Sequence, residues 1–145
     1  MITRNLVGLV YSPDIHDAAS LVQSLVGSLG LQDNSWVRSV SDLGDVGNDL
    51  DKTRVVVTAG GDGTILRTCH VTAPFEVPIV GINMGRVGFM SELRPENAAE
   101  KLPSYLNGDM RVERRMMLYA EVFSPSDGSL VFSAHALNDV VVGRG

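Results

Sequence analysis

The segment VVVTAGGDGTILRT, residues 55–68, decides the expected fold of this chain. It runs from a β-branched stretch through three glycines, Gly60, Gly61 and Gly63, with the carboxylate of Asp62 between them, into residues that suit a helix. Such β-branched runs are typical of strands covered on both faces. A parallel strand that ends in glycines and enters a helix places open backbone N–H groups at the positive helix end, where phosphate oxygens bind. The segment therefore predicts a phosphate-binding loop between a strand and a helix.

Asp62 is the unexpected member of this loop. A carboxylate that faces phosphate is repelled unless a cation or a donated proton compensates it. It could accept the proton of a hydroxyl that attacks phosphorus, or it could help to hold a divalent metal. We expect Thr64 to cap the helix and Arg67, roughly one turn further on, to reach the same phosphates. The alternative is ordinary turn chemistry, with Asp62 capping the helix.

The segments on either side alternate between strand and helix patterns. Strand patterns lie at residues 5–11, 35–40, 54–59 and 77–83. Helix patterns lie at residues 14–29 with Gly30 as the cap, at 64–70, and at 95–108 with an interruption at Pro103 and closure at Gly108, while residues 41–52 suit a loop or a broken helix. Four strand–helix alternations in about 105 residues predict an α/β fold with a doubly wound, mainly parallel, Rossmann-like sheet.

The pattern changes beyond residues 111–115. Residues 118–142 contain two alternating strands around a Ser-Pro-Ser-Asp-Gly turn and then a third apolar run, without helical periodicity. We therefore expect an α/β nucleotide-binding domain over residues 1–112 and the first antiparallel strands of an incomplete all-β domain over 113–145. About 30 residues are too few to bury a core. Unpaired strand edges predict self-association or disorder there, so we expect a homo-oligomer.

Composition restricts the partners. The net charge of −5, without a run of basic residues, argues against binding nucleic acid through its phosphates. A single cysteine, Cys69, excludes an internal disulfide and a cysteine-based zinc cluster. His16, His70 and His135 are too scattered to define a metal site. With no run of 18 apolar residues and no signal-peptide core, we expect a cytoplasmic protein without a membrane partner.

A second glycine-spaced loop, GINMGRVGF, follows the strand pattern of residues 77–83. Its Asn-x-Gly-x-x-Gly spacing, which begins at Asn83, is a weak signal by itself. The alternative is a tight loop with Phe89 in the core. Because open parallel sheets bind ligands at the carboxyl ends of their strands, two such loops on neighbouring strands favour a binding site.

The two loops, followed by RRMML at 114–118 and ALNDVVV at 136–142, resemble the NAD kinases. Gly-Gly-Asp-Gly alone is shared with diacylglycerol and sphingosine kinases and with phosphofructokinases. The loop at Asn83 and the pair Asn138–Asp139 are much narrower features, and the four motifs occur in the order that is found in the family.

The resemblance implies transfer of a phosphoryl group from ATP, or from inorganic polyphosphate, to the 2′-hydroxyl of the adenosine ribose of NAD, giving NADP. A divalent cation, Mg²⁺, is expected with the donor. Asp62 would accept the proton of the 2′-hydroxyl, and Gly60, Gly61, Gly63, Thr64 and Arg67 would lie against the phosphates and nucleotide.

Asn83 and the Asn138–Asp139 pair would bind NAD. An adjacent amide and carboxylate supply donors and acceptors to a sugar or amide edge, although Asn138 could instead satisfy backbone groups in a loop. Many family members carry Glu at the position of Asp139. They are also nearly twice as long, so this chain resembles an N-terminal portion that would be inactive alone. A lipid kinase domain and a nucleotide-binding module without turnover are the alternatives.

Overall fold

The computed structural model describes residues 4–85 and 88–143. The chain divides into two compact units, Met1–Arg111 and Val112–Gly145. Each unit is described by itself.

The first unit is built on four parallel strands, as the sequence predicts. They are β1 Leu6–Tyr11, β2 Ser35–Ser39, β3 Thr53–Gly60 and β4 Ile79–Asn83. Their order in the sheet is β2-β1-β3-β4, and all three pairings are parallel. The chain therefore reverses its direction of winding between β1 and β3, and ligands of such sheets bind beyond the carboxyl ends at that point.

Four α-helices accompany the sheet, and two short 3₁₀ helices join them. The α-helices are α1 Ala18–Ser28, α2 Gly47–Leu50, α3 Asp62–Thr72 and α4 Pro95–Leu106; the 3₁₀ helices are Val40–Asp45 and Ala73–Phe75. The broken helix expected over residues 41–52 is thus present. Gly30 ends α1 with a φ of 64°, as expected, while α1 begins four residues later than the predicted Asp14.

The expected interruption at Pro103 is wrong, because α4 continues through it to Leu106. Proline removes one hydrogen bond to the carbonyl four residues earlier. That carbonyl belongs to Ala99, which is exposed, so water can satisfy it. Leu102 and Leu106 on either side are buried in the core and hold the last turn in place. Gly108, with a φ of 84°, follows the helix.

The core lies on both faces of the sheet. One cluster joins Val7, Leu9, Val55, Val57 and Ile82 to the buried faces of α1 and α4. The other joins Val10, Trp36 and Val56 to the segment that contains α2, together with Val71 from α3. The predicted doubly wound arrangement is therefore confirmed. Within the described residues, no helix is long and apolar enough to cross a bilayer.

The second unit contains an antiparallel hairpin, β5 Leu118–Phe123 and β6 Leu130–Ala136, around the predicted turn. The third apolar run, residues 140–142, forms no strand within the described part of the unit. Val141 is 82% exposed and Val142 95%, so these two side chains pack against little within the described part of the unit.

Candidate functional site

The loop between β3 and α3 is tighter than the sequence suggests. Gly60 is the last residue of β3, Gly61 is the N-cap, and α3 begins at Asp62. The prediction that Thr64 caps the helix is wrong, since Thr64 is its third residue. The Thr64 side chain is buried instead against Gly60, where an added side-chain carbon would collide with the Thr64 hydroxyl and lie 2.7 Å from Thr64 Cβ.

The N-terminus of α3 is open. The N–H groups of its first two residues, Asp62 and Gly63, have no partner within the helix, because a helix leaves its first N–H groups unbonded. The N–H groups of Thr64 and Ile65 both reach the Gly61 carbonyl, at 3.0 and 3.4 Å. Gly63 is exposed, and no atom outside its own helix turn lies within 4 Å of where its side chain would be. This helix end therefore offers backbone donors and a positive dipole to an anion.

The Asp62 carboxylate connects the two glycine loops. Its Oδ2 accepts a hydrogen bond from the Phe89 N–H at 3.0 Å, and its Oδ1 accepts one from the Met90 N–H at 3.4 Å. The carboxylate also lies directly against the backbone of Gly88. Asp62 is the first residue of the helix, not its N-cap, and its side chain makes no capping bond. Ordinary helix capping therefore does not account for this residue.

Asn83 lies at the carboxyl end of β4, opposite Gly60 of β3. Its side-chain Oδ1 accepts a hydrogen bond from the Gly85 N–H at 2.9 Å, a turn that Asn side chains often form. Its backbone N–H donates to the Leu93 carbonyl at 2.8 Å. Asn83 thus fixes the start of the second loop, while its contact with NAD stays a prediction. Arg86 and Val87 of the same loop lie outside the described residues.

Phe89 is a residue that the sequence analysis missed. The alternative that places its ring in the core is wrong, because the side chain is 99% exposed. Its backbone N–H holds Asp62 while its ring faces outward, so an aromatic surface stands next to the carboxylate. The sequence signal that could have identified Phe89 is an aromatic residue directly after a glycine, in a loop at the end of a strand. A residue at such a position is not required to pack in the core.

Arg67 is exposed on α3, one turn after Gly63 on the same side of the helix. Because helical side chains generally lean toward the N-terminus of their helix, this position favours an approach of the guanidinium to the end that carries the open N–H groups.

Asn138 and Asp139 lie in the second unit, in the loop after β6. Both are exposed, and neither side chain hydrogen-bonds to another residue of the described ranges. The alternative in which Asn138 satisfies backbone groups is therefore not seen. The first unit thus brings together Gly60, Asp62 and Asn83, and the role of the Asn138–Asp139 pair stays a prediction.

The described residues contain no group of three or more His, Cys, Asp or Glu side chains that could hold a metal ion. Cys69 lies on α3, more than one turn after the glycine loop, and is half-buried.

A parallel sheet whose two neighbouring strands end in glycine loops, joined through one carboxylate at an open helix N-terminus, is typical of α/β proteins that bind phosphate. The comparison with known proteins narrows this class. Residues 16–110 match the family of the ATP-NAD kinase N-terminal domain, and the chain belongs to that family.

Curated relatives agree with this assignment. An NAD kinase of Dehalococcoides mccartyi strain CBDB1 is 37% identical over 142 residues, which are 96% of this chain and 49% of the relative. An NAD kinase of Heliobacterium modesticaldum is 44% identical over 96 residues, 66% of this chain and 33% of the relative. The chain spans about half the length of the Dehalococcoides relative.

Solved structures agree on the fold. Yeast NADH kinase, solved in complex with NADH, superposes with a TM-score of 0.72 at 16% identity, covering 94% of this chain and 48% of that one. An NAD kinase from Archaeoglobus fulgidus, solved in complex with ATP, gives a TM-score of 0.53 at 23% identity, covering 90% of this chain and 57% of that one.

Proposed function

We propose that the intact protein that contains this chain is an NAD kinase. It transfers a phosphoryl group from ATP, or from polyphosphate, to the 2′-hydroxyl of the adenosine ribose of NAD and releases NADP. The observation that carries the proposal is the Asp62 carboxylate, which lies at the open N-terminus of α3 and is held 3.0 Å from the Phe89 N–H. Family membership supports NAD kinase over the lipid kinase alternative.

In this proposal the donor phosphates bind at the N-terminus of α3. The N–H groups of Asp62 and Gly63 contact phosphate oxygens, Gly60 and Gly61 let the backbone approach closely, and Arg67 adds a positive charge. The buried Thr64 supports the loop by packing on Gly60. Such a site works by positioning the phosphates and by stabilising negative charge as it develops.

Asp62 is the proton acceptor of the reaction. As the bond forms between the ribose oxygen and the γ-phosphorus, the bond to the β-phosphate oxygen breaks, ADP leaves, and the hydroxyl proton passes to the carboxylate. Each carboxylate oxygen can accept two hydrogen bonds and accepts one from the loop, so lone pairs remain for the substrate hydroxyl.

A divalent cation fits this donor set. Mg²⁺ is usually held by one or two carboxylates together with substrate phosphates, rather than by a cage of protein ligands. Because Asp62 is assigned as the proton acceptor, the substrate phosphates would hold the ion here, and the ion would neutralise charge on the transferred phosphoryl group.

NAD binds beside Asp62. The exposed ring of Phe89 supports this placement, because an exposed aromatic surface can stack on a base. Asn83 shapes the loop that carries this ring and contributes to the same site. Asn138 and Asp139 supply an amide and a carboxylate to the sugar or amide edge, and their exposure leaves both side chains available.

The remaining partners follow from charge and surface. NAD and ATP are the small-molecule partners, nucleic acid and membrane are not partners, and the reaction takes place in the cytoplasm. The net charge of −5 and the single cysteine support these assignments.

The protein forms a homo-oligomer through the hairpin. One hairpin face carries the cross-strand pairs Leu118–Ala136, Ala120–Ala134 and Val122–Phe132, all apolar, and Val122 and Phe132 are 51% and 60% exposed. Apolar faces of this kind are sites of association. In light scattering, Val122→Lys lowers the mass of the intact protein toward that of a monomer, whereas Ser133→Lys, on the opposite hairpin face where Ser133 pairs with Glu121, does not. A wild-type protein that is already monomeric contradicts this assignment.

The decisive experiment measures NADP formed from NAD, ATP and Mg²⁺ by the intact protein and by its Asp62→Asn variant. The substitution keeps the size of the side chain and removes the base, so kcat falls by about 10²–10⁴-fold while NAD binding is retained. Asp33→Asn is the matched control, because Asp33 is exposed just before β2, at the opposite edge of the sheet. An intact protein that makes no NADP, or an Asp62→Asn variant with wild-type kcat, rules the assignment out.

The 145-residue chain alone is a separate case. We expect it to bind NAD saturably without turnover, which calorimetry and the same NADP assay together measure.

A further inference from the structure

Among the described residues, the loop after β4 approaches Asp62 with its backbone. Two consecutive N–H groups, of Phe89 and Met90, donate to the two different oxygens of the carboxylate at 3.0 and 3.4 Å. Each oxygen has its own donor, so the pair of bonds fixes the rotation of the carboxylate as well as its location. A single bond would leave the group free to turn about its Cβ–Cγ axis.

Gly88 makes this approach possible. A side-chain carbon at this position would collide with Asp62 Oδ1 and would lie 2.7 Å from Asp62 Cγ. The three atoms nearest to that carbon all belong to the Asp62 carboxylate group. Gly85 of the same loop differs, since a side-chain carbon there meets nothing within 4 Å.

We propose that the segment Gly88–Met90 is a positioning element for Asp62: the bare backbone of Gly88 sets the location of the carboxylate, and the two following N–H groups set its orientation. The proposal rests on the proposed function for the role of Asp62 as proton acceptor. A displacement of a reacting group by about 1 Å can lower a rate 100-fold. Gly88 therefore controls the chemical step without touching the substrate.

The same segment also connects substrate to base. The N–H of Phe89 holds Oδ2 of Asp62, while its exposed ring stands beside it. A ligand that stacks on this ring therefore contacts the residue whose N–H orients the carboxylate. Loss of the ring and displacement of the backbone are separable changes, so Phe89→Ala weakens NAD binding whereas a change at Gly88 lowers kcat.

The kinetic test compares Gly88→Ala with Gly47→Ala in the intact protein. We expect Gly88→Ala to lower kcat by about 100-fold, with the KM for ATP close to that of the wild type, because the donor site on α3 is untouched. Gly47→Ala, the matched control, keeps kcat close to the wild-type value, because Gly47 is exposed at the start of α2 and an added side-chain carbon there meets nothing within 4 Å. Equal kcat in the two variants overturns the proposal, and so does a change in Gly88→Ala that is confined to KM.

A stability cycle tests the contact independently of activity. Gly88→Ala lowers the melting temperature of the intact protein when Asp62 is present, and it has little effect in the Asp62→Ala background, where the three nearest atoms that it would strike are gone. An equal loss in both backgrounds overturns the proposal. A protein that makes no NADP rules out the proposed function, and this cycle then still decides whether Gly88 positions the carboxylate.

Discussion

Gly8→Ala is expected to disrupt the first unit through one steric conflict. Gly8 lies in β1, paired with Trp36 of β2, and the indole of Trp36 covers it. An added side-chain carbon would collide with the indole and lie 2.7 Å from its Cε2 atom. The indole cannot move away freely, because it is buried and its Nε1–H donates to the Thr53 hydroxyl at 2.8 Å.

The magnitude follows from two contributions. Forcing one methyl group into a packed interior costs about 1–3 kcal/mol. Displacing the indole from Thr53 loses a hydrogen bond worth about 0.5–1.5 kcal/mol. The free energy of unfolding therefore falls by about 2–4 kcal/mol, a large part of the 5–15 kcal/mol that is typical of a domain. With a urea m-value of about 2 kcal/mol/M, the midpoint falls by about 1–2 M.

Urea unfolding followed by tryptophan fluorescence measures this directly, since Trp36 is the only tryptophan in the chain. The emission of the folded Gly8→Ala protein also shifts to the red as the indole is displaced. Gly27→Ala is the matched control: Gly27 is exposed within α1, its added carbon meets nothing within 4 Å, and the change is expected to stabilise by about 0.5–1 kcal/mol. If Gly8→Ala keeps the wild-type midpoint and emission, the indole does not restrict this position and the reasoning is wrong.

Three further predictions concern single side chains. Arg54→Ala lowers the free energy of unfolding by about 1 kcal/mol, because Arg54 Nη1 donates to the Leu106 carbonyl at the end of α4 at 2.7 Å. Urea titration measures this loss, and an unchanged midpoint contradicts it. Thr58→Val raises the free energy of unfolding by about 1 kcal/mol, because the buried Thr58 hydroxyl has no hydrogen-bond partner within the described residues; a lower midpoint contradicts this. The nearby Ser124 hydroxyl, together with the Ser129 hydroxyl that donates to Asp127 Oδ1 at 2.8 Å, holds the pKa of Asp127 below its ordinary value of 3.8, so the contribution of Asp127 to hairpin stability is present above that pH and is lost as the pH falls through the lowered pKa. Carbon-detected NMR titration measures this pKa, and Ser124→Ala raises it toward 3.8.

The sheet could be predicted from the sequence because periodicity reports burial. β-branched runs such as residues 54–59 must be covered on both faces, and the helical patterns between the runs supply the cover. The location of the carboxylate at the end of β3 follows from the same argument. The order of the strands in the sheet could not be predicted in this way, since each run is equally apolar and the pairing partners are distant in sequence.

Predictions from local sequence rules were wrong where burial, or the absence of burial, has a larger effect than local propensity. Pro103 is tolerated inside α4 because two buried leucines hold the last turn and the carbonyl that it leaves unpaired is exposed. The run at residues 140–142 has strand propensity but lies beside no strand within the described part of the second unit. Thr64 has a favourable capping side chain, yet its methyl and hydroxyl fill the space over Gly60, so Gly61 becomes the N-cap. Propensity is a weak prior that packing overrides.

The position of the Asp62 carboxylate also revises the electrostatic argument for this residue. From the sequence, a carboxylate within a phosphate-binding loop requires a cation or a donated proton as compensation. In the fold, two backbone N–H groups of the neighbouring loop supply partial positive charge to the carboxylate, and the N-terminus of α3 adds its dipole. The backbone donors are thus divided between two tasks: the first residues of α3 are open to an anion, and Phe89 and Met90 hold the Asp62 carboxylate. In the proposed reaction this division uses both glycine loops, and the second can reach Asp62 because it follows the neighbouring strand, whose last residue Asn83 lies opposite Gly60.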